Sequence, residues 1–158
     1  MAYLIFALRL VLGGVLLVAG VLKAHDGPAS TAVTIAGYRI LPSAVVAPLG
    51  VALPYFEIFV GAYLIGGLFT RIAGWIAAVQ FSIFSAAVAS LVIRHIAADC
   101  GCFGSGVPVP PSWGHVALDV LAACASIVVA VRGPGAFALD WLLFPSSYFR
   151  SGREAHSP

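Results

Sequence analysis

Four stretches of this chain are each long enough to cross a bilayer core, which takes about 20 mostly apolar residues per helical span. They run from Tyr3 to Leu22 with one charge, Arg9; from Ala44 to Phe69 with one charge, Glu57; from Ile72 to Ile93 with none; and from Trp113 to Val131 with Asp119. In lipid every backbone N–H and C=O must find a partner within the protein, so each stretch is expected to be a helix. Composition agrees. Hydrophobic residues make up 61% of the chain and charged residues 9%, where a soluble domain carries about 25% charged. So few charges do not cover a water-facing surface. The expected fold is all-α: an integral membrane four-helix bundle with short interfacial segments. The formal net charge of +2 is spread along the chain and gives no basis for nucleic-acid binding.

Several details refine this. Pro48 and Pro54 fall early in the second span and predict a kink or a late helix start. Gly13, Gly14, Gly20, Gly61, Gly66 and Gly67 supply small surfaces where helices pack closely without a hydrophobic drive between them. The first span is read as a retained helix, because Arg9 interrupts the apolar run and no basic segment precedes it. Arg71, Arg132, Arg150 and Arg153 fall on the side of the termini, against Lys23, Arg39 and Arg94 on the other. The positive-inside rule therefore places the termini in the cytoplasm, in a multi-pass protein of the cell membrane. The bundle is assigned to residues 1–132 and an interfacial, disordered cytoplasmic tail to 133–158. Ala29 to Leu41 is expected to roof the outer face as an amphipathic helix, and Ala136 to Phe144 to dock on the inner surface.

The chemistry concentrates in Asp99-Cys100-Gly101-Cys102-Phe103-Gly104, expected to be exposed in the extracytoplasmic loop before the last span. Two cysteines flanking a glycine can close a very small disulfide ring, for which Gly101 supplies the backbone freedom. Small strained disulfides are commonly the labile, exchanging ones. Arg94 and His95 upstream favour a thiolate, and Asp99 opposes them. A static staple is the weaker reading, since so small a loop removes little chain entropy. Two thiolates alone do not complete a usual zinc set, so no metal ligands are assigned. Cys124, alone in an apolar helix, is read as packing.

Charges within the membrane are the second signal. Counting from the outer ends of the first two spans places Arg9 and Glu57 at similar depth, which predicts an ion pair between them. Gln80 on the third span is a candidate to join that network, and these three residues are the candidate cofactor contacts. His115 and Asp119 lie four apart on one helical face, near the cysteine loop. There Asp119 is positioned to fix a tautomer of His115, which then exchanges protons with the cysteines.

The runs RLVLGGVLLVAGVLK (Arg9 to Lys23), LPYFEIFVGAYLIGGLFTR (Leu53 to Arg71) and CGCFG (Cys100 to Gly104) resemble the MauE family, within the broader DoxX-like group of four-helix membrane proteins. The likeness covers about Tyr3 to Val131. It implies a membrane redox accessory protein, associated with maturation of a disulfide-rich dehydrogenase alongside a thioredoxin-like partner. Cys100, Cys102, His115 and Asp119 are then the catalytic candidates of a thiol–disulfide relay. The partners expected are the lipid bilayer, a thioredoxin-like or secreted disulfide-bearing protein, and a membrane oxidoreductase complex. A quinone among the helices is the candidate electron carrier, although the sequence carries no cofactor fingerprint. The rival readings are a non-catalytic subunit anchoring an oxidoreductase complex and a small metal carrier.

Overall fold

In the computed structural model, residues 1–96, 98, 100, 101, 104 and 110–143 are described. Asp99, Cys102, Pro108 and the tail from 144 onward, with Tyr148, Arg150 and Arg153, lie outside the described residues. Among the described residues six helices follow one another: α1 (Ala2–Asp26), α2 (Pro28–Gly37), α3 (Ser43–Gly66), α4 (Thr70–Ile93), α5 (Trp113–Arg132) and the single turn α6 (Asp140–Leu143). Among these residues α1, α3, α4 and α5 are the four helices long and apolar enough to cross a membrane. The protein is a multi-pass, all-helical membrane bundle.

The spans differ from expectation mainly at their ends. α1 continues past Leu22 to Asp26, and α3 begins at Ser43 with both Pro48 and Pro54 inside it, so its start is not late. The expected outer roof is α2, ten residues opened by Pro28, whose fixed φ suits a first helical turn.

Two tight antiparallel pairs build the bundle, α1 with α3 and α4 with α5. Small residues set both. A Cβ placed on Gly13 would sit 2.7 Å from the Gly61 carbonyl, and one on Gly20 would sit 2.6 Å from that of Pro54. Gly74 approaches the Ala130 backbone in the same way, at 2.9 Å. Without side chains between them these backbones come into direct contact, which is what drives helix association in lipid. Leu12, Leu16, Leu64, Ala77, Phe81 and Val129 fill the space between the pairs. The outward faces carry exposed Val, Ile, Phe and Trp, as a lipid-facing surface does.

The end of the bundle where α1 begins is closed by polar contacts between distant parts of the chain. Arg9 is fully buried and donates from Nε to Leu64 O at 2.9 Å and from Nη2 to Ile65 O at 3.1 Å. Its Nη1 donates to Pro134 O and to Ala136 O. Two of these carbonyls belong to the last turn of α3, which has no further helical turn to pair with. Gly67, in the left-handed region at φ 66°, turns the chain directly over the guanidinium. A side chain there would collide with it. Asp140 caps α4 in a similar way, its carboxylate accepting from Phe69 N at 2.6 Å and Thr70 N at 2.9 Å. Residues 133–143 are thus packed into the bundle rather than trailing from it.

Candidate functional site

The half of the bundle beneath α2 holds the second group of buried polar side chains. Lys23 and Glu57 are 4% and 0% exposed, and Lys23 Nζ meets Glu57 Oε1 at 2.6 Å. The pair expected between Arg9 and Glu57 does not form. Gly13 lies against Gly61 and Gly20 against Pro54, the same interval along each antiparallel helix. That register sets Glu57 level with Leu17, roughly 12 Å along the axis from Arg9 at the α-helical rise. Lys23 starts further out. Side chains tilt toward their own helix's N-terminus, so on antiparallel helices Lys23 and Glu57 lean toward each other. The ammonium also lies 5.3 Å from the centroid of the Phe84 ring.

Lys23 forms part of the wall of a cavity of about 1120 Å³ beneath α2. α3 contributes Leu49, Leu53 and Phe56, and α4 contributes Trp75, Val79 and Ile83. Most of these residues are also exposed on the lipid side, so the cavity opens toward the bilayer between α3 and α4. Gln80 lines it while 5% exposed, and neither end of its amide has a hydrogen-bond partner among the described residues. Glu57 is absent from the lining but holds Lys23 in place; Arg9 is at the opposite end of α1.

The cysteine loop borders this cavity through its described residues. Cys100 is disulfide-bonded and only 3% exposed, and it lines the cavity together with Gly101 and Gly104. The loop expected to be exposed is therefore covered at Cys100. The cover is α2 and the residue after it: the Tyr38 hydroxyl donates to the Cys100 carbonyl, and Arg94 Nη1 donates to the Tyr38 carbonyl at 3.0 Å. Gly101, at φ 64°, lies against the Thr34 methyl, leaving no room for a side chain. Burial, then the nearby Asp119 charge, push the Tyr38 hydroxyl up to about 12, so it keeps the proton it donates to the loop well beyond neutral pH.

His115 and Asp119 lie at the start of α5, outside the cavity lining. His115 Nδ1 is 2.8 Å from the hydroxyl of Ser112, the N-cap of α5. The contact at this ring nitrogen is thus with Ser112 rather than Asp119. Asp119 lies within electrostatic range of His115, Lys23 and Tyr38, and its Oδ2 is buried without a partner among the described residues. Cys124 is a free thiol exposed on α5, not packed inside.

Sequence reasoning counted Lys23 within the family-like run from Arg9 and as a charge of one side, without pairing it with Glu57, and passed over Tyr38 and Asp140 as site or framework residues. For Lys23 the signal was present: the glycines of α1 and α3 give the register that brings it to Glu57.

The arrangement is that of a small membrane protein whose four helices carry a disulfide-bearing loop beside a lipid-side cavity. The chain belongs to the MauE family, described as methylamine utilisation protein MauE, whose family model matches residues 1–132. No curated protein and no solved structure matches it.

Proposed function

We propose that this protein is a membrane redox accessory factor of methylamine utilisation. In this reading Cys100 and Cys102 exchange disulfides with a thioredoxin-like or secreted partner, and so support maturation of a partner oxidoreductase. The family supports the accessory role. The observation that carries the redox reading is the placement of disulfide-bonded Cys100 in the wall of a membrane cavity. A disulfide that served only to tie the loop would gain nothing from facing that space. Because α2 covers Cys100, exchange with a protein requires the Tyr38 contact to the loop to open.

The same reading puts the cysteine loop outside the cytoplasm and the termini within it, in the cell membrane. Lys23 is taken up in a buried ion pair and does not act as an outer loop charge. That leaves Arg39 and Arg94 outside against Arg71, Arg132, Arg150 and Arg153 inside, which supports this orientation.

The test is trapping in a host that grows on methylamine and lacks its own copy. Cys100→Ser or Cys102→Ser should accumulate a mixed disulfide with a thioredoxin-like or secreted protein, resolved by reductant. The double serine variant should reach normal membrane levels yet fail to support growth on methylamine. Full growth with the double variant would instead favour a non-catalytic subunit. The buried position of Cys100 suits that second reading, in which the loop is a structural latch under α2.

A further inference from the structure

Gln80 is the least explained side chain in the bundle. Buried amides are almost always hydrogen-bonded, yet Gln80 is 5% exposed with both Nε2 and Oε1 unpartnered among the described residues. It lines the same cavity as Lys23 and Cys100. Lys23 donates one of its three N–H groups to Glu57, so the cavity wall offers an ammonium donor and, just behind its surface, the Gln80 amide, within an otherwise apolar lining. Ligand sites have this character: mostly apolar, with a few polar groups that orient the ligand.

The charge of the site selects among lipid-soluble ligands. Lys23 is already neutralised by Glu57, so a carboxylate or an anionic headgroup gains no net attraction. A neutral molecule with carbonyl acceptors fits both donors. The volume of about 1120 Å³ exceeds what a single ring needs, and the opening between α3 and α4 gives an apolar tail a way into the bilayer.

We propose that this cavity holds the head of a membrane quinone, its carbonyl oxygens accepting from the Gln80 amide and the Lys23 ammonium, and that this quinone is the electron acceptor for Cys100 and its disulfide partner. The inference rests on the redox reading of the cysteines. The step balances: two thiols and one quinone give one disulfide and one quinol, with the electron pair and both thiol protons ending on the two quinol oxygens. Gln80 and Lys23 are positioning residues that bind the oxygens on which this charge collects.

The probe is decylubiquinone, a short-tailed benzoquinone, added to the purified full chain in nanodiscs. Because Trp75 lines the cavity, saturable quenching of its fluorescence is expected, lost in Trp75→Phe. Gln80→Leu should raise the Kd about tenfold, the scale of a lost hydrogen bond to a buried group. Ala87→Phe, which adds bulk to an apolar position of the cavity wall, should abolish binding while leaving the helical signal intact. Prereduced protein should then form one quinol per chain, and the double serine variant should bind quinone equally well but form none. Quenching that is absent, or unchanged in both Gln80→Leu and Ala87→Phe, overturns the occupant, whether or not a protein partner is trapped at the cysteines. Binding with no quinol formed overturns the acceptor role. If the mixed-disulfide trap is also empty, the redox reading falls with it.

Discussion

Replacing Lys23 and Glu57 singly and together tests the register of the bundle and the energetics of its half beneath α2. At 2.6 Å the pair attracts by about 6 kcal/mol at an effective dielectric of about 20. Withdrawing both ions from water costs several kcal/mol each, so as a unit the pair is close to neutral. Each ion alone is another matter. Glu57 is completely buried, and its second oxygen already lacks a partner among the described residues. Removing Lys23 leaves it uncompensated. Lys23→Met or Glu57→Leu should therefore each cost about 3–5 kcal/mol, whereas the two substitutions together should fall within about 1 kcal/mol of the original protein. Reversible unfolding in mixed micelles with increasing SDS, followed by far-UV circular dichroism, gives all four free energies of the cycle. Strong coupling is the expected result. A double variant that loses the sum of the single losses would refute the pairing, and with it the register set by Gly13, Gly20 and Gly61.

Three further outcomes follow from other parts of the fold. Asp140→Asn should cost about 1–2 kcal/mol in the same assay, the loss expected when a charged cap leaves a helix N-terminus; no change would mean the tail is dispensable. Gly13→Ala places a methyl 2.7 Å from the Gly61 carbonyl and should destabilise by about 1–3 kcal/mol through overpacking, with Gly14→Ala as the control because a Cβ there meets nothing within 4 Å. Tyr38 favours its protonated form in the fold, with its hydroxyl raised from 10.0 to about 12. Its contribution to stability is thus complete below pH 10 and disappears as pH rises through 12. Phenolate absorbance of the original protein minus that of Tyr38→Phe should rise near pH 12, and a midpoint near 10 would contradict a buried hydroxyl.

The four spans were legible because a bilayer imposes a length and a composition on any helix that crosses it. The α2 roof was legible for a related reason: a segment too short to span but apolar on one face has only the interface to occupy. Depth within the bundle was harder to read. Counting Arg9 and Glu57 from the ends of their spans assumed that helix ends align, but α1 runs past Leu22 and register is set where backbones touch, at Gly13–Gly61 and Gly20–Pro54. The Asp140 cap was invisible because it is 70 residues from Thr70 in sequence and follows no local motif. The cover over Cys100 escaped notice for the opposite reason. Loops generally run over surfaces, and nothing local to Cys-Gly-Cys shows that Thr34 and Tyr38, more than sixty residues earlier, fold over it.

The two ends of the bundle differ in how completely their buried polar groups are satisfied. At the end where α1 begins the Arg9 guanidinium meets four carbonyls and both Asp140 oxygens accept backbone N–H groups, with only the Thr70 hydroxyl unpartnered among the described residues. In the half beneath α2, Glu57 Oε2, both ends of Gln80 and Asp119 Oδ2 all lack partners among the described residues. Orphaned buried polar atoms cost stability, and a folded protein tolerates them mainly where something else is meant to meet them. Structural and functional polarity are therefore separated along the membrane normal. Arg9 and Asp140 fasten the helices at one end. At the other, the same helices leave buried polar atoms unpartnered among the described residues, and of these residues only Gln80 lines the apolar cavity. An anchoring subunit needs only the first arrangement. The second is where the proposed quinone would bind, with the Gln80 amide and Cys100 both at the cavity wall.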